Sequence, residues 1–210
     1  MIQLQSFKKS YGQYTALQIP ELHLETGIYW IKGVNGSGKS TLLKSMAGML
    51  SFQGDILINN QTSLKKHPVK YRKMVNFSEA EPLFPTFITG LEMIDLFVSA
   101  KNAPTTQKEN LIDALKMQHY IQTPVSSYSS GMLKKLSILL AFIGNPSIIL
   151  LDEPLITIDT DSLKVLYGLI HKEHNQKGTT FLITSHQPLD PAYLPNTKAL
   201  LVEEQTLKIS

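Results

Sequence analysis

Eight consecutive residues, Gly33-Val34-Asn35-Gly36-Ser37-Gly38-Lys39-Ser40, have the types and spacing to enclose a chain of phosphates. Glycine lets backbone N–H groups turn inward around an anion, and the run matches G-x-x-x-x-G-K-[ST] in full. Lys39 supplies a point charge able to reach β- and γ-phosphates, and Ser40 a hydroxyl for Mg²⁺; Asn35, Ser37 and Thr41 complete the set expected to touch a nucleotide. The flanks agree with that reading. Residues 28–31 are bulky and β-branched, as in a strand ending at Gly33, while Leu42, Leu43, Met46 and Leu50 follow at helical spacing. A helix starting near Lys39 aims the positive end of its dipole at the same phosphates.

A second constellation lies where an apolar run, Ile148-Ile149-Leu150-Leu151, meets Asp152 and Glu153. Adjacent residues at a strand end point in different directions, so the two carboxylates can serve different tasks. Asp152 is expected to hold magnesium, and Glu153 to polarise the attacking water as a general base. Alone, two acids before Pro154 are an ordinary solvated strand end; the phosphate loop upstream gives them a reaction to serve.

A third, Tyr128-Ser129-Ser130-Gly131-Met132, reads as a small-residue turn opening a helix that turns Leu136, Leu139, Leu140 and Ile143 inward. Ser129 and the first backbone N–H groups then form an anion site. In this position the turn resembles the L-S-G-G-Q signature of ATP-binding cassette (ABC) ATPases, and the resemblance extends over nearly the whole chain. It implies that Ser129 and Gly131 complete the ATP site of a second subunit, so that the working form is a homodimer or heterodimer. It further implies that Tyr11, in Lys9-Ser10-Tyr11-Gly12, stacks on the adenine, that Asp159 belongs to the loop following the two acids, and that His186, in Thr184-Ser185-His186, contacts the γ-phosphate or the water. Lys39, Glu153 and His186 are the expected catalytic residues, with ATP and Mg²⁺ as ligands. The implied function is to bind and hydrolyse ATP for a transporter whose membrane-spanning permease is a separate chain, at the inner face of the cell membrane.

Two departures from the family pattern stand out. Aligning Phe77 and Glu81-Pro82 puts Ala80 where the family carries a glutamine, so either the site works without it or Glu79 or Glu81 substitutes. The signature has Tyr128, Ser130 and Met132 in place of leucine, glycine and glutamine, but keeps Ser129 and Gly131. The backbone donors and one hydroxyl do the phosphate work, so altered affinity or rate is expected, not loss.

The elements that must position these residues follow from pattern and composition. Strands are expected at residues 1–5, 54–58, 71–77, 147–151 and 179–183, with a closing hairpin from 199–202 and 206–209. A helix with Leu163, Leu166, Tyr167 and Ile170 on one face lies between the acids and residue 179. From 85 to 143 strand patterns vanish and two capping boxes are expected, at Thr89-Gly90-Leu91-Glu92 and Thr106-Gln107-Lys108-Glu109. The fold expected is α/β, a P-loop NTPase of the ABC type. It has a mainly parallel sheet, an antiparallel β portion and an inserted helical subdomain at 85–145, with 1–84 and 146–210 forming the nucleotide-binding core of a single domain. The 210 residues carry 20 basic and 17 acidic side chains and no cysteine. No disulfide or thiolate chemistry is available, and the small basic excess nominates no nucleic acid as partner. The longest apolar stretch, 136–143, falls short of the roughly 20 residues a membrane span requires. A soluble ABC ATPase acting on nucleic acid or the translation machinery is the competing reading, and would be expected to carry a long coiled-coil insertion or a second cassette. A P-loop kinase would leave Ser129 to Gly131 and His186 unexplained.

Overall fold

The computed structural model describes residues 1–209. In chain order the elements are β1 (Ile2–Tyr11), β2 (Tyr14–Leu24), β3 (Ile28–Lys32), α1 (Lys39–Met46), β4 (Gln53–Ile58), β5 (Thr62–Ser63), α2 (Pro68–Met74), β6 (Val75–Ser78), α3 (Gly90–Lys101), α4 (Thr105–Ala114), α5 (Ser130–Phe142), β7 (Ile148–Leu151), α6 (Thr160–Lys177), β8 (Thr180–Thr184), β9 (Lys198–Glu203) and β10 (Thr206–Ile209). Two sheets result. One is antiparallel with order β2-β1-β4-β5; the other has order β10-β9-β3-β8-β7-β6, parallel throughout except for the closing β9–β10 hairpin.

The larger sheet is covered on both faces, and period-two alternation decides which residue meets which layer. Ile149, Leu151, Phe181 and Ile183 pack with α3 to α6, whereas Ile148, Leu150 and Leu182 pack with α1, α2 and the antiparallel sheet. All four residues of β7 are buried, which explains the unbroken apolar run before Asp152. Helix α5 runs against β6 and β7, so the helical stretch shares its core with the sheet.

Three expectations are corrected. Residues 71–77 do not form one strand: Pro68 sits in the first turn of a helix, Tyr71 is buried and donates to the Met46 carbonyl at 2.8 Å, and the strand begins only at Val75. Burial of the tyrosine against α1 overrides its β propensity. The capping box at Thr106 does not form either. Helix α4 starts at Thr105 after Pro104, and the amide of Gln107 instead binds the backbone of Phe142 and Gly144 across the fold. The box at Thr89 is present, with Thr89 N donating to Glu92 Oε2 and Glu92 N to Thr89 Oγ1. Finally, α1 ends at Met46, before Leu50, because Gly48 takes a left-handed conformation. Among the described residues no helix is long and apolar enough to cross a membrane.

Candidate functional site

In the order β3-β8-β7, three adjacent parallel strands end on the same edge, and each delivers one candidate group. The phosphate loop follows β3, Ser185 and His186 follow β8, and Asp152 and Glu153 follow β7. Carboxyl ends of parallel strands are the usual site of ligand binding in such sheets. Here Asn35, Gly36, Gly38, Lys39, Ser40, Thr41, Glu153 and His186 line one cleft of about 260 Å³.

Helix α1 opens this cleft with no side chain capping its first turn, because Gly38 is the N-cap residue. Gly38 has φ of 105°, and a Cβ there would lie 2.9 Å from Leu17, so both backbone conformation and packing demand glycine. The uncapped N–H groups and the helix dipole face the cleft. Lys39 Nζ donates to the carbonyls of Gly33 at 2.7 Å and Val34 at 3.0 Å, which leaves its third N–H for a ligand oxygen. Ser37 N donates to Val34 O, while its buried Oγ makes no hydrogen bond among the described residues.

Thr184, which the sequence motifs left without a role, holds the carboxylate of Asp152 and the backbone N–H of Glu153. Its hydroxyl donates to Asp152 Oδ1 at 2.7 Å and accepts from Glu153 N at 2.9 Å. Asp152 is buried behind the cleft, whereas Glu153 lines it with φ of 46°, an unusual conformation for a residue with a side chain. His186 N donates to Glu153 Oε2 at 3.3 Å, and His186 Nε2 stands 3.4 Å from Oε1, which makes no hydrogen bond. Ser40 and Asp152 together offer a hydroxyl and a carboxylate, hard oxygen donors that suit Mg²⁺ arriving with phosphates and water. The indole N–H of Trp30 donates to Ser185 O at 3.1 Å, so the single tryptophan reports on the turn carrying His186.

Tyr11, Ser129 and Gly131 do not line the cleft. Tyr11 is half exposed near the tip of the β1–β2 hairpin, with Lys9 Nζ 4.6 Å from its ring centre. Ser129 caps α5, accepting from Met132 N at 3.3 Å, and is exposed. A Cβ on Gly131 would lie 2.8 Å from Thr157 O, so close approach of the loop after Glu153 accounts for this glycine within the chain itself. At the alanine departure, Glu79 pairs with Lys44 of α1 at 3.4 Å, and Glu81 is exposed. Beneath them lies Lys134, a buried lysine that no motif marked, which burial pushes down to about 8.

Asp159 caps α6 by accepting from Ser162 N at 2.8 Å, and Lys135 Nζ lies 2.7 Å from its other oxygen. The hydrogen bond from Lys135 and then that from Ser162 hold its carboxyl well below the usual carboxylate range. The folded pKa is depressed, so the stabilisation is present above about pH 4 and lost as pH falls towards the folded value. Asp159→Ala is expected to destabilise by about 1 kcal/mol at neutral pH through loss of the cap. Thermal melts at pH 7 and pH 3 check this: the gap between parent and variant should narrow at pH 3, and a constant gap would remove the carboxylate from the account.

Residues 17–156 match the family described as ABC transporter. Over 183 residues the chain is 34% identical to the cytochrome c biogenesis ATP-binding export protein CcmA of Legionella pneumophila (strain Lens), spanning 85% of this chain and 89% of that protein. It is 27% identical over 188 residues to the lantibiotic transport ATP-binding protein SrtF of Streptococcus pyogenes, with 89% and 80% covered. Among solved structures it is similar to an ATP-binding subunit of an ABC transporter, with TM-score 0.88 at 20% identity and 99% and 88% of the chains covered. It is also similar to a dimeric bacterial ABC transporter cassette, with TM-score 0.81 at 21% identity and 99% and 97% covered.

Proposed function

Because the chain belongs to the ABC transporter family, we propose that it is the ATP-binding and hydrolysing subunit of a transporter whose membrane-spanning permease is a separate chain. The observation that carries this reading is the convergence of Lys39, Glu153 and His186 on one cleft at the start of α1. Lys39 and the first-turn N–H groups bind the phosphates. Ser40 and Asp152 would hold Mg²⁺, whose charge offsets that building on the phosphate oxygens. Glu153 takes a proton from water as the water oxygen bonds to the γ-phosphorus and the bond to the β–γ bridging oxygen breaks, leaving ADP and phosphate. His186 orients Glu153 through its backbone N–H and presents its ring to the same space.

Tyr11 is assigned to the adenine: its hairpin packs on the phosphate loop through Leu17 and Gly38, and its ring is accessible. Ser129 and Gly131 lie outside the cleft and are assigned to the ATP of a second cassette, identical or not. Residues 85–145 are assigned to a lobe that carries this signature, on a core made of 1–84 and 146–210. The chain would act at the inner face of the membrane as a peripheral subunit of its permease. ATP should shift the fluorescence of Trp30 with saturation, and phosphate release should follow when magnesium and the permease are supplied. A flat titration and no phosphate release under those conditions would sink the proposal.

A further inference from the structure

We infer that Lys134 is a positioning residue for hydrolysis: its ammonium ties the loop at Glu79 and Ala80 to the peptide joining Asp152 and Glu153, and so sets the direction of Glu153. The inference rests on the hydrolysis reading above. Lys134 is 1% exposed, in the second turn of the helix that Ser129 caps. Its Nζ donates to Glu79 O at 2.8 Å, Ala80 O at 3.1 Å and Asp152 O at 2.9 Å. Three N–H donors thus meet three carbonyls, and no carboxylate lies within ion-pair reach among the described residues.

Burying an ammonium without an ion pair is unfavourable, and here it is offset by the three carbonyls and, from further off, by the charges of Asp152, Glu153 and Glu79. What the ammonium achieves is specific. The Asp152 carbonyl and the Glu153 N–H belong to one planar peptide, which cannot twist internally. Lys134 grips its oxygen and Thr184 Oγ1 grips its N–H, at 2.9 Å each. Both rotations that could relax the left-handed φ of Glu153 are therefore opposed, and the carboxylate is kept in the cleft. The other end of the clamp is also tied down. Glu79, whose carbonyl Lys134 binds, pairs with Lys44 on α1, the helix that begins at Lys39. Base and phosphate loop are thereby referred to the same scaffold through a residue that touches neither ATP nor water.

The test compares Lys134→Met, which keeps the length and loses the donors, with Lys134→Arg, which keeps charge and donors. The parent and Glu153→Gln are run beside them in the full complex. Displacing a catalytic group by about 1 Å can lower the rate on the order of 10²-fold. Lys134→Met should lose kcat on that scale with KM for ATP and magnesium-free ATP binding little changed, and Lys134→Arg should recover part of the loss. Parental kcat in a folded Lys134→Met, or a fall in kcat matched by an equal fall in ATP binding, overturns the inference. Should Lys134→Met fail to fold, Thr184→Val loosens the same peptide from its other end, and parental kcat in that variant overturns it equally. Parental turnover in Glu153→Gln would instead sink the hydrolysis reading itself.

Discussion

Lys39→Ala is expected to abolish tight ATP binding while leaving the fold intact. The ammonium is largely buried, yet its two hydrogen bonds both go to the phosphate loop it belongs to, at Gly33 and Val34. Its removal therefore relaxes one loop and strands no distant group. Alanine is also the best helix former for the first position of α1. On the proposed reading, what is lost is a charge placed against the β- and γ-phosphates, and truncating one partner of a buried charge pair costs about 2–5 kcal/mol. That corresponds to a loss of ATP affinity of roughly 30-fold to a few thousand-fold. Fluorescence of Trp30, whose indole is tied to Ser185 beside the cleft, supplies the titration, and circular dichroism the control on folding. Unchanged affinity in the folded variant would remove Lys39 from the site.

Glu153→Gln is expected to keep ATP and lose turnover. The amide fills the carboxylate's volume and still accepts from His186 N through its oxygen, but it cannot take a proton from water. General-base assistance is worth about 10² to 10⁴ in rate, so kcat should fall by that factor with little change in nucleotide affinity. On the proposed two-subunit arrangement, slow hydrolysis also prolongs the life of the ATP-bound dimer. Size-exclusion chromatography with Mg-ATP should then show a dimer for Glu153→Gln that disappears when Ser129→Arg is added, since bulk and charge at the α5 cap keep the second cassette away. If the single variant turns over at the parental rate in the presence of the permease, Glu153 is not the base.

The two variants differ in what they ask of the structure. The place of Lys39 was legible because the loop pattern lies within eight residues of chain: the glycines, the lysine and the hydroxyl are neighbours in sequence and remain so in the fold. The Asp-Glu pair was legible for a related reason, since a strand buried on both faces writes itself as an unbroken apolar run with the two acids at its end. The capping roles of Thr89 and Ser129 were equally local, each hydrogen bond spanning three residues. Strand β2 was harder to see, because Pro20 interrupts the alternation and its register comes from pairing with β1.

Sequence by itself determined the phosphate loop, the two acids, the helix caps at Thr89 and Ser129 and the alternation of strand with helix, because each is a property of a few consecutive residues and their backbone preferences. Tertiary structure decided the rest. Which of several strand ends lie side by side depends on the β3-β8-β7 order, and only that order brings Thr184 onto the peptide of Glu153 from 31 residues away. It likewise brings Lys134 to carbonyls 18, 54 and 55 residues distant, and turns residues 71–74 into a helix by burying Tyr71 against α1. No spacing in the chain encodes such contacts. They arise when packed layers place backbone groups from separate segments within hydrogen-bonding distance, and a buried side chain is then required to satisfy them.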